Sequence, residues 1–530
     1  VIAKTIPAPV DGWDAISPLA EMDPKRAPIL NNWVPRPGFV ELRGGYQQYA
    51  NTMVNSPVET LMTYRSPTVE KMFAAAGSSI YDISTSNASA VVTGLNSDQW
   101  QWVNFTPAGG TTNLFSVNGV DQMLRFDGTS WSNPSISGLP GSSTANIINI
   151  NSQKQRLWFV MNQSTVVAYM PVGAVTGPIA GTQDFGQLWN KGGYLVAMTS
   201  WTIDGGAGPQ DYALFISSRG QVTIYQGTDP TNAAAWQLVG TFDISPPIGL
   251  RCLTRIGSDV AIITMQGVIP ISQALPFDPS ADRSIALTAR IQNAMATATA
   301  QGQFLFGWQL MTFPAQQLVI LNVPQVQNTT QVQFVMNALT GAWCQFTGWN
   351  ANCFVIYKDN LYWGSNNGVI NQGYVGSSDY ISPINADMQC AFNWFDEPGR
   401  LKRMTMVQPL LILGGGLTPF LGVDEDFTTS SFAAPITSFA GTVLWDVALW
   451  DVAQWPAPTT TFDSWLSVTA IGHALALRVK VSVSPFGTIL PSVFDIAQFD
   501  ISSFAQTFDQ TLPILQVNAF NCTAEFGGPI

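Results

Sequence analysis

Between about residue 58 and residue 272 the chain repeats one pattern. A short β run is followed by a turn with Gly or a small polar residue, then by a second β run with an aromatic. The copies are KMFAAAGSSIYDIST (71–85), NLFSVNGVDQMLRFDGTSW (113–131), QRLWFVMNQSTVVAYMP (155–171), YALFISSRGQVTIYQGTDP (212–230) and DVAIITMQGVIPIS (259–272). Two short runs of this kind across a tight turn read as a hairpin. The second-run markers Tyr81, Phe126, Tyr169, Tyr225 and Ile269 lie 45, 43, 56 and 44 residues apart. Each interval holds about four short strands with their turns, the period of a propeller blade. One blade cannot cover both its faces, but a closed ring of blades can. Two closer copies, QFVMNALTGAWCQFTGW (333–349) and NCFVIYKDNLYWGSNNGVI (352–370), read as adjacent hairpins of one blade. A row of β-sandwich domains fits the same hairpins and stands as the alternative.

The flanking segments read differently. In residues 1–50, Pro7, Pro9, Pro18, Pro24, Pro28, Pro35 and Pro37 break any helix and disfavour a central strand. Trp13, Ile16, Leu19, Ile29, Leu30 and Trp33 are too apolar for a disordered leader, so an extended arm that wraps another surface is expected. SADRSIALTARIQNAMATATA (280–300) predicts the chain's one clear helix, with Ser280 as N-cap, Asp282 in the first turn, and Leu287, Ile291, Ala294 or Met295, and Ala298 near one face. ALALRVKVSV (474–483) alternates cleanly and predicts a half-buried strand whose wet face carries Arg478 and Lys480. In LWDVALWDVAQW (444–455), Trp445, Trp450 and Trp455 recur every five residues, as do Asp446 and Asp451. Phe494, Phe499 and Phe504, with Asp495 and Asp500, repeat the rhythm. Five is neither a strand nor a helix period, so a corner or bulge in each unit is expected, within a compact β domain separate from the blades.

Composition narrows the function. Of 530 residues only 11% are charged, against about 25% in an ordinary soluble protein. The net charge is −12. Such a surface suits a subunit largely covered by neighbours, and so few cations make a poor tight binder of nucleic acid or anionic membrane. No run of about 20 apolar residues offers a membrane-spanning segment. The opening VIAKTIPAPVDGWDAISPLAEMD has no signal-peptide hydrophobic core.

The inventory for chemistry is thin, and no enzyme activity, cofactor or metal is expected. His473 is the single histidine, too few for a His-based zinc site, and no G-x-S-x-G elbow supplies a serine for it. It reads as a packed or hydrogen-bonded structural residue. Cys252, Cys344, Cys353, Cys390 and Cys522 are odd in number and widely spaced, and read as reduced, mostly buried apolar residues. Asp424, Glu425 and Asp426 read as a solvated turn, and with Asp396 and Glu397 they are the candidates for a glycosidase carboxylate pair. The EF-hand spacing is absent. Arg400, Lys402 and Arg403 form the one concentrated positive patch, a candidate contact for an acidic neighbouring subunit or a phosphate.

PILNNWVPRPGFVELRGGY (28–46), LYWGSNNGVINQ (361–372) and FNWFDEPGRLKRMTMVQP (392–409) resemble tail-nozzle proteins of short-tailed bacteriophages, the packaged-DNA stabilisation or tail tubular protein B group. Asn31, Pro35, Gly38, Arg43 and Gly44 match that family's N-terminal signature, whose role there is structural. The resemblance implies a virion protein assembled in the host cytoplasm. Six identical subunits would form a ring below the portal and its adaptor, retain packaged double-stranded DNA, conduct it during ejection and anchor tail fibres or spikes. Six copies would carry −72, and like charge lets DNA pass without gripping it. A glycan- or host-surface-binding propeller is the alternative, and a propeller glycosidase a further one.

These readings predict a mainly β chain: an irregular β-propeller with an inserted helix and an additional β domain. Residues 1–57 are the arm and the start of the propeller, 58–274 propeller blades, 275–330 an insertion with one helix and β strands, 331–403 closing blades, and 404–530 the C-terminal β domain.

Overall fold

A computed structural model of the chain describes residues 2–204, 209–274, 285–414, 417, 419–428, 434–435, 459–483 and 514–529. It divides into two compact units. One comprises Gln48–Val332 and Trp349–Asn371, the other Val1–Gln47, Gln333–Gly348 and Gln372–Ile530.

The first unit is a β-propeller with six blades that are separate sheets. Blade 1 is Val58–Arg65, Glu70–Ala76, Ser79–Asp82 and Ser89–Thr93. Blade 2 begins at Gln101–Phe105, blade 3 at Ile147–Gln153 and blade 4 at Leu195–Asp204, each with four strands. Blade 5 has three strands, from Leu253–Ile256. Blade 6 is Cys353–Tyr357, Asn360–Gly364 and Val369–Gly373, completed by Tyr46–Asn51 from the far end of the sequence. Between blades 5 and 6 the hairpin Gln309–Phe313 and Leu318–Val326 fills the ring.

Apolar faces of neighbouring blades supply the cores. Met62, Phe73, Trp100, Leu114 and Phe126 pack between blades 1 and 2, and Trp158, Tyr169, Phe185, Phe215 and Trp236 between blades 3 and 4. Tyr225 stacks on Trp236 with centroids 5.3 Å apart. The blade aromatics are thus core residues, at about 150–250 Å² of buried surface each. The inner strands are also stitched by side chains that donate to a neighbour's carbonyl. Trp102 Nε1 reaches Leu61 O at 3.0 Å, Asn151 Nδ2 reaches Met198 O at 3.0 Å, and Gln309 Nε2 reaches Phe354 O at 2.9 Å. Thr254 Oγ1 reaches Leu310 O, and Cys353 Sγ closes the circle on Val58 O at 3.3 Å. Turn chemistry is equally specific: Gly220 has φ +82°, and a Cβ there would lie 2.2 Å from Ile244 O.

The expected pairing of 333–349 with 352–370 in one blade does not occur. Residues 352–370 build blade 6, whereas Trp343–Phe346 lies in the other unit, where Gln345 pairs with Asn31. Residues 331–403 therefore divide between the units. The helix also begins later than expected: a 3-10 turn Ala289–Ile291 leads into Gln292–Gly302, with Ile291 and Met295 buried. Ser280 and Asp282 lie outside the described residues.

In the second unit, Trp343–Phe346, Ile29–Asn31, Ile384–Gln389, Leu475–Val483 and Phe420–Glu425 run side by side. A second sheet joins Trp33–Arg36, Phe39–Leu42, Leu515–Pro529 and the long strand Arg400–Gly414, with Ile2–Pro7, Thr459–Phe462 and Leu466–Gly472. Of residues 1–50, expected as an arm, Ile2–Pro7, Ile29–Asn31, Trp33–Arg36 and Phe39–Leu42 supply strands to these sheets. Pro35 sits on the edge strand, where its missing N–H is tolerated. The five-residue rhythms at 444–455 and 494–504 lie outside the described residues.

Candidate functional site

Two of the signature residues near the N-terminus, Arg43 and Gly44, take part in a buried polar joint of the second unit. Pro37 and Gly38 turn the chain between two strands, and Gly38 has φ +89°, as a tight Pro-Gly turn requires. The turn returns the chain to Arg43, whose side chain is fully buried. Its Nε donates to Asn32 Oδ1 at 2.8 Å. Its Nη1 donates to Gly44 O at 2.9 Å and Asp379 Oδ1 at 2.8 Å, and its Nη2 to Thr347 O at 2.8 Å and Asp379 Oδ2 at 2.6 Å. The five guanidinium hydrogens thus have five acceptors. Asn32, at φ +62°, completes the joint by donating to Thr347 Oγ1 and Asn385 O. Asn31 is a sheet residue paired with Gln345 and Asp387, and Pro35 O accepts Asn337 Nδ2 at 2.8 Å. Every partner of Arg43 is the protein itself, so the joint fixes backbone segments and offers no free charge.

The positive patch is split by the fold. Lys402 is buried, its Nζ donating to Glu397 O at 2.5 Å, Arg400 O at 2.8 Å and His473 O at 2.7 Å, and burial pulls its ammonium below the usual lysine range. Arg400 is half-buried, 5.9 Å from the centroid of Phe526, and Arg403 is exposed. A strand irregularity between Arg400 and Lys402 separates residues that share parity in the sequence.

The acidic candidates are also dispersed. Asp424 lies in the strand Phe420–Glu425 rather than in a solvated turn. It is 1% exposed, accepts Gln389 Nε2 at 2.5 Å and faces Arg478 Nη1 at 3.5 Å. Arg478 is correspondingly buried, with Nη2 2.7 Å from Asp387 Oδ2, and does not stand on a wet face. The strand Leu475–Val483 has neighbours on both edges, and the first half of it is covered on both faces. Asp426 accepts the backbone N–H groups of His473 and Ala474. His473 is half-buried beside Asp426, with Nδ1 3.6 Å from Oδ2. Asp396 is exposed and paired with Lys4 at 2.9 Å. All five cysteines are free thiols and buried. Among the described residues no cluster of three or more His, Cys, Asp or Glu could hold a metal ion, and no helix is long and apolar enough to cross a membrane.

Residue-level reading of the sequence missed the propeller's central cavity, of about 610 Å³. Its wall includes Gln101, Trp102, Asn151, Arg251, Arg255 and Gln309. Among the described residues its charged lining residues are Arg251 and Arg255, from the segment LRCLTRI that enters blade 5. Arg251 Nη2 donates to Glu59 O at 3.0 Å, Thr60 Oγ1 at 2.7 Å and Trp100 O at 3.2 Å, and its guanidinium lies 4.6 Å from the centroid of Phe306. Behind it, Glu59 is 4% exposed. Burial, reinforced by Asp98 and opposed by Asn328 and Arg251, pushes its carboxyl up to about 7. Arg255 is exposed within the unit, and its Nη2 donates to Ser200 O at 3.0 Å. It also borders a smaller cavity of about 310 Å³, where Lys154 and Asp211 pair at 2.6 Å.

Neither a protein-family model nor a curated protein matches the chain. Among solved structures, BBS1N in complex with ARL6DN is similar at a TM-score of 0.39 and 11% identity, over 63% of this chain and 98% of that one. A putative 6-phosphogluconolactonase from Bacteroides fragilis is similar at 0.34 and 15%, over 61% and 87%. The extracellular domain of a putative hybrid two-component system from B. thetaiotaomicron is similar at 0.33 and 9%, over 64% and 41%.

Proposed function

We propose that this chain is a structural virion protein, the nozzle subunit of a short bacteriophage tail. In this reading six copies ring the channel below the portal and adaptor, hold packaged DNA, and pass it during ejection, with fibres or spikes attached outside. The observation that carries the reading is the Arg43 joint. Of the residues that match the nozzle signature, Arg43 and Gly44 meet there as backbone-fixing elements, with each Arg43 donor bound inside the chain. The acidic balance supports the same role, since a lining of like charge to DNA slides rather than binds. The blade tryptophans Trp100, Trp158 and Trp363 are buried in cores and offer a glycan no platform.

The test is native mass spectrometry of the purified chain, alone and with the adaptor ring of the same particle. A species of six times the chain mass, or assembly on the adaptor, is expected. A chain that stays single with that ring present refutes the proposal.

A further inference from the structure

The geometry points to a second property, independent of ring assembly: the central cavity of the propeller is a binding site for a small organic anion, one bearing a carboxylate or phosphate group. Three observations converge on it. The chain carries −12 overall, yet among the described residues the charged side chains lining this cavity are two arginines, with no Asp or Glu. Arg255 uses only its Nη2 nitrogen on Ser200, and it projects an exposed guanidinium between the two cavities. Gln101, 8% exposed and on the same wall, has an amide Nε2 without a hydrogen-bond partner, and Arg251 Nη1 is likewise without one.

A buried donor left unpaired costs about 1–3 kcal/mol, so an acceptor brought within reach of Gln101 or Arg251 relieves a cost already present. Planar guanidinium groups favour carboxylate and phosphate oxygens, to which they donate two parallel hydrogen bonds. On the same wall Leu61, Trp102 and Leu310 offer apolar surface to a carbon skeleton, beside polar side chains such as Asn151 and Gln309. A cavity of about 610 Å³ holds a molecule of metabolite size and no macromolecule.

The experiment is isothermal titration of the full chain with citrate and, separately, with inorganic phosphate at constant ionic strength, glucose serving as neutral control. Saturable binding of one anion and none of glucose is expected. Citrate alone identifies a carboxylate ligand, and phosphate alone a phosphoryl ligand. Arg255→Met should weaken binding at least ~10-fold and Gln101→Leu about 5-fold, as expected for the loss of a charged and a neutral hydrogen bond. Arg219→Met, an exposed arginine outside the cavity lining, should leave it unchanged. Neither anion saturating up to about 10 mM, or equal affinity in wild type and Arg255→Met, overturns the assignment. Both informative variants change side chains at the cavity wall and spare Arg251, whose bonds tie blades together.

Discussion

Replacing Glu59 by Gln should make the protein more stable in mild alkali while leaving it nearly unchanged in acid. The carboxyl is 4% exposed, and one of its oxygens, Oε2, has no hydrogen-bond partner. Its pKa rises from 4.5 to about 7 because burial disfavours the anion and Asp98 adds repulsion. A carboxyl that binds its proton more tightly folded than unfolded favours the fold fully below pH 4.5. That advantage is lost as pH climbs through about 7, where the folded chain must hold a buried anion. The shift corresponds to about 3 kcal/mol. Gln keeps the size and cannot ionise, so the variant should gain up to about 3 kcal/mol over wild type at pH 8 and little at pH 5. Urea unfolding followed by tryptophan fluorescence at pH 5, 6, 7 and 8 reads the difference. Parallel curves for the two proteins across that range would refute the reasoning, because Asp98 and every other titrating group is common to both.

Two more outcomes follow from buried groups. Arg43→Met strands Asp379, which is 4% exposed, without its cation and should cost about 3–5 kcal/mol in the second unit. Arg43→Lys should rescue little because it lacks the fork, and a urea midpoint unchanged in Arg43→Met would contradict the role assigned to the joint. Burial pushes the thiols of Cys252, Cys353, Cys390 and Cys522 up to about 12, and that of Cys344 upward as well. A thiol reagent at pH 8 should therefore label none of the five before denaturation and all five after it, and rapid labelling of the folded protein would show that the burial is wrong.

What was legible in the sequence was local. Hairpins such as 71–85 and 212–230 announce themselves because strand, turn and returning strand are consecutive, and each became the middle of a blade. Ring closure was not legible, since Tyr46–Asn51 joins strands near residue 370 and no short window contains both. Period-two parity placed Arg478 on one face of its strand correctly, but parity does not reveal that this face is also covered. The same holds for Lys402, whose carbonyl partners are Glu397 and Arg400 just before it and His473 from a distant stretch of chain. The cavity arginines escaped notice because Arg251 and Arg255 look like ordinary strand cations until seven inner strands surround them. The available signal was the spacing of two arginines in an otherwise apolar entry to blade 5.

The closing strand has a consequence for synthesis. Tyr46–Asn51 leaves the ribosome early, but its partner Val369–Gly373 emerges roughly 300 residues later, ~15–60 s at ordinary translation rates. Throughout that interval the nascent strand waits with an open edge, the kind of surface that recruits other chains. Its sequence, YQQYAN, is largely polar and has a single aliphatic residue, Ala50, so the edge can wait without becoming a seed for aggregation between neighbouring polysomes.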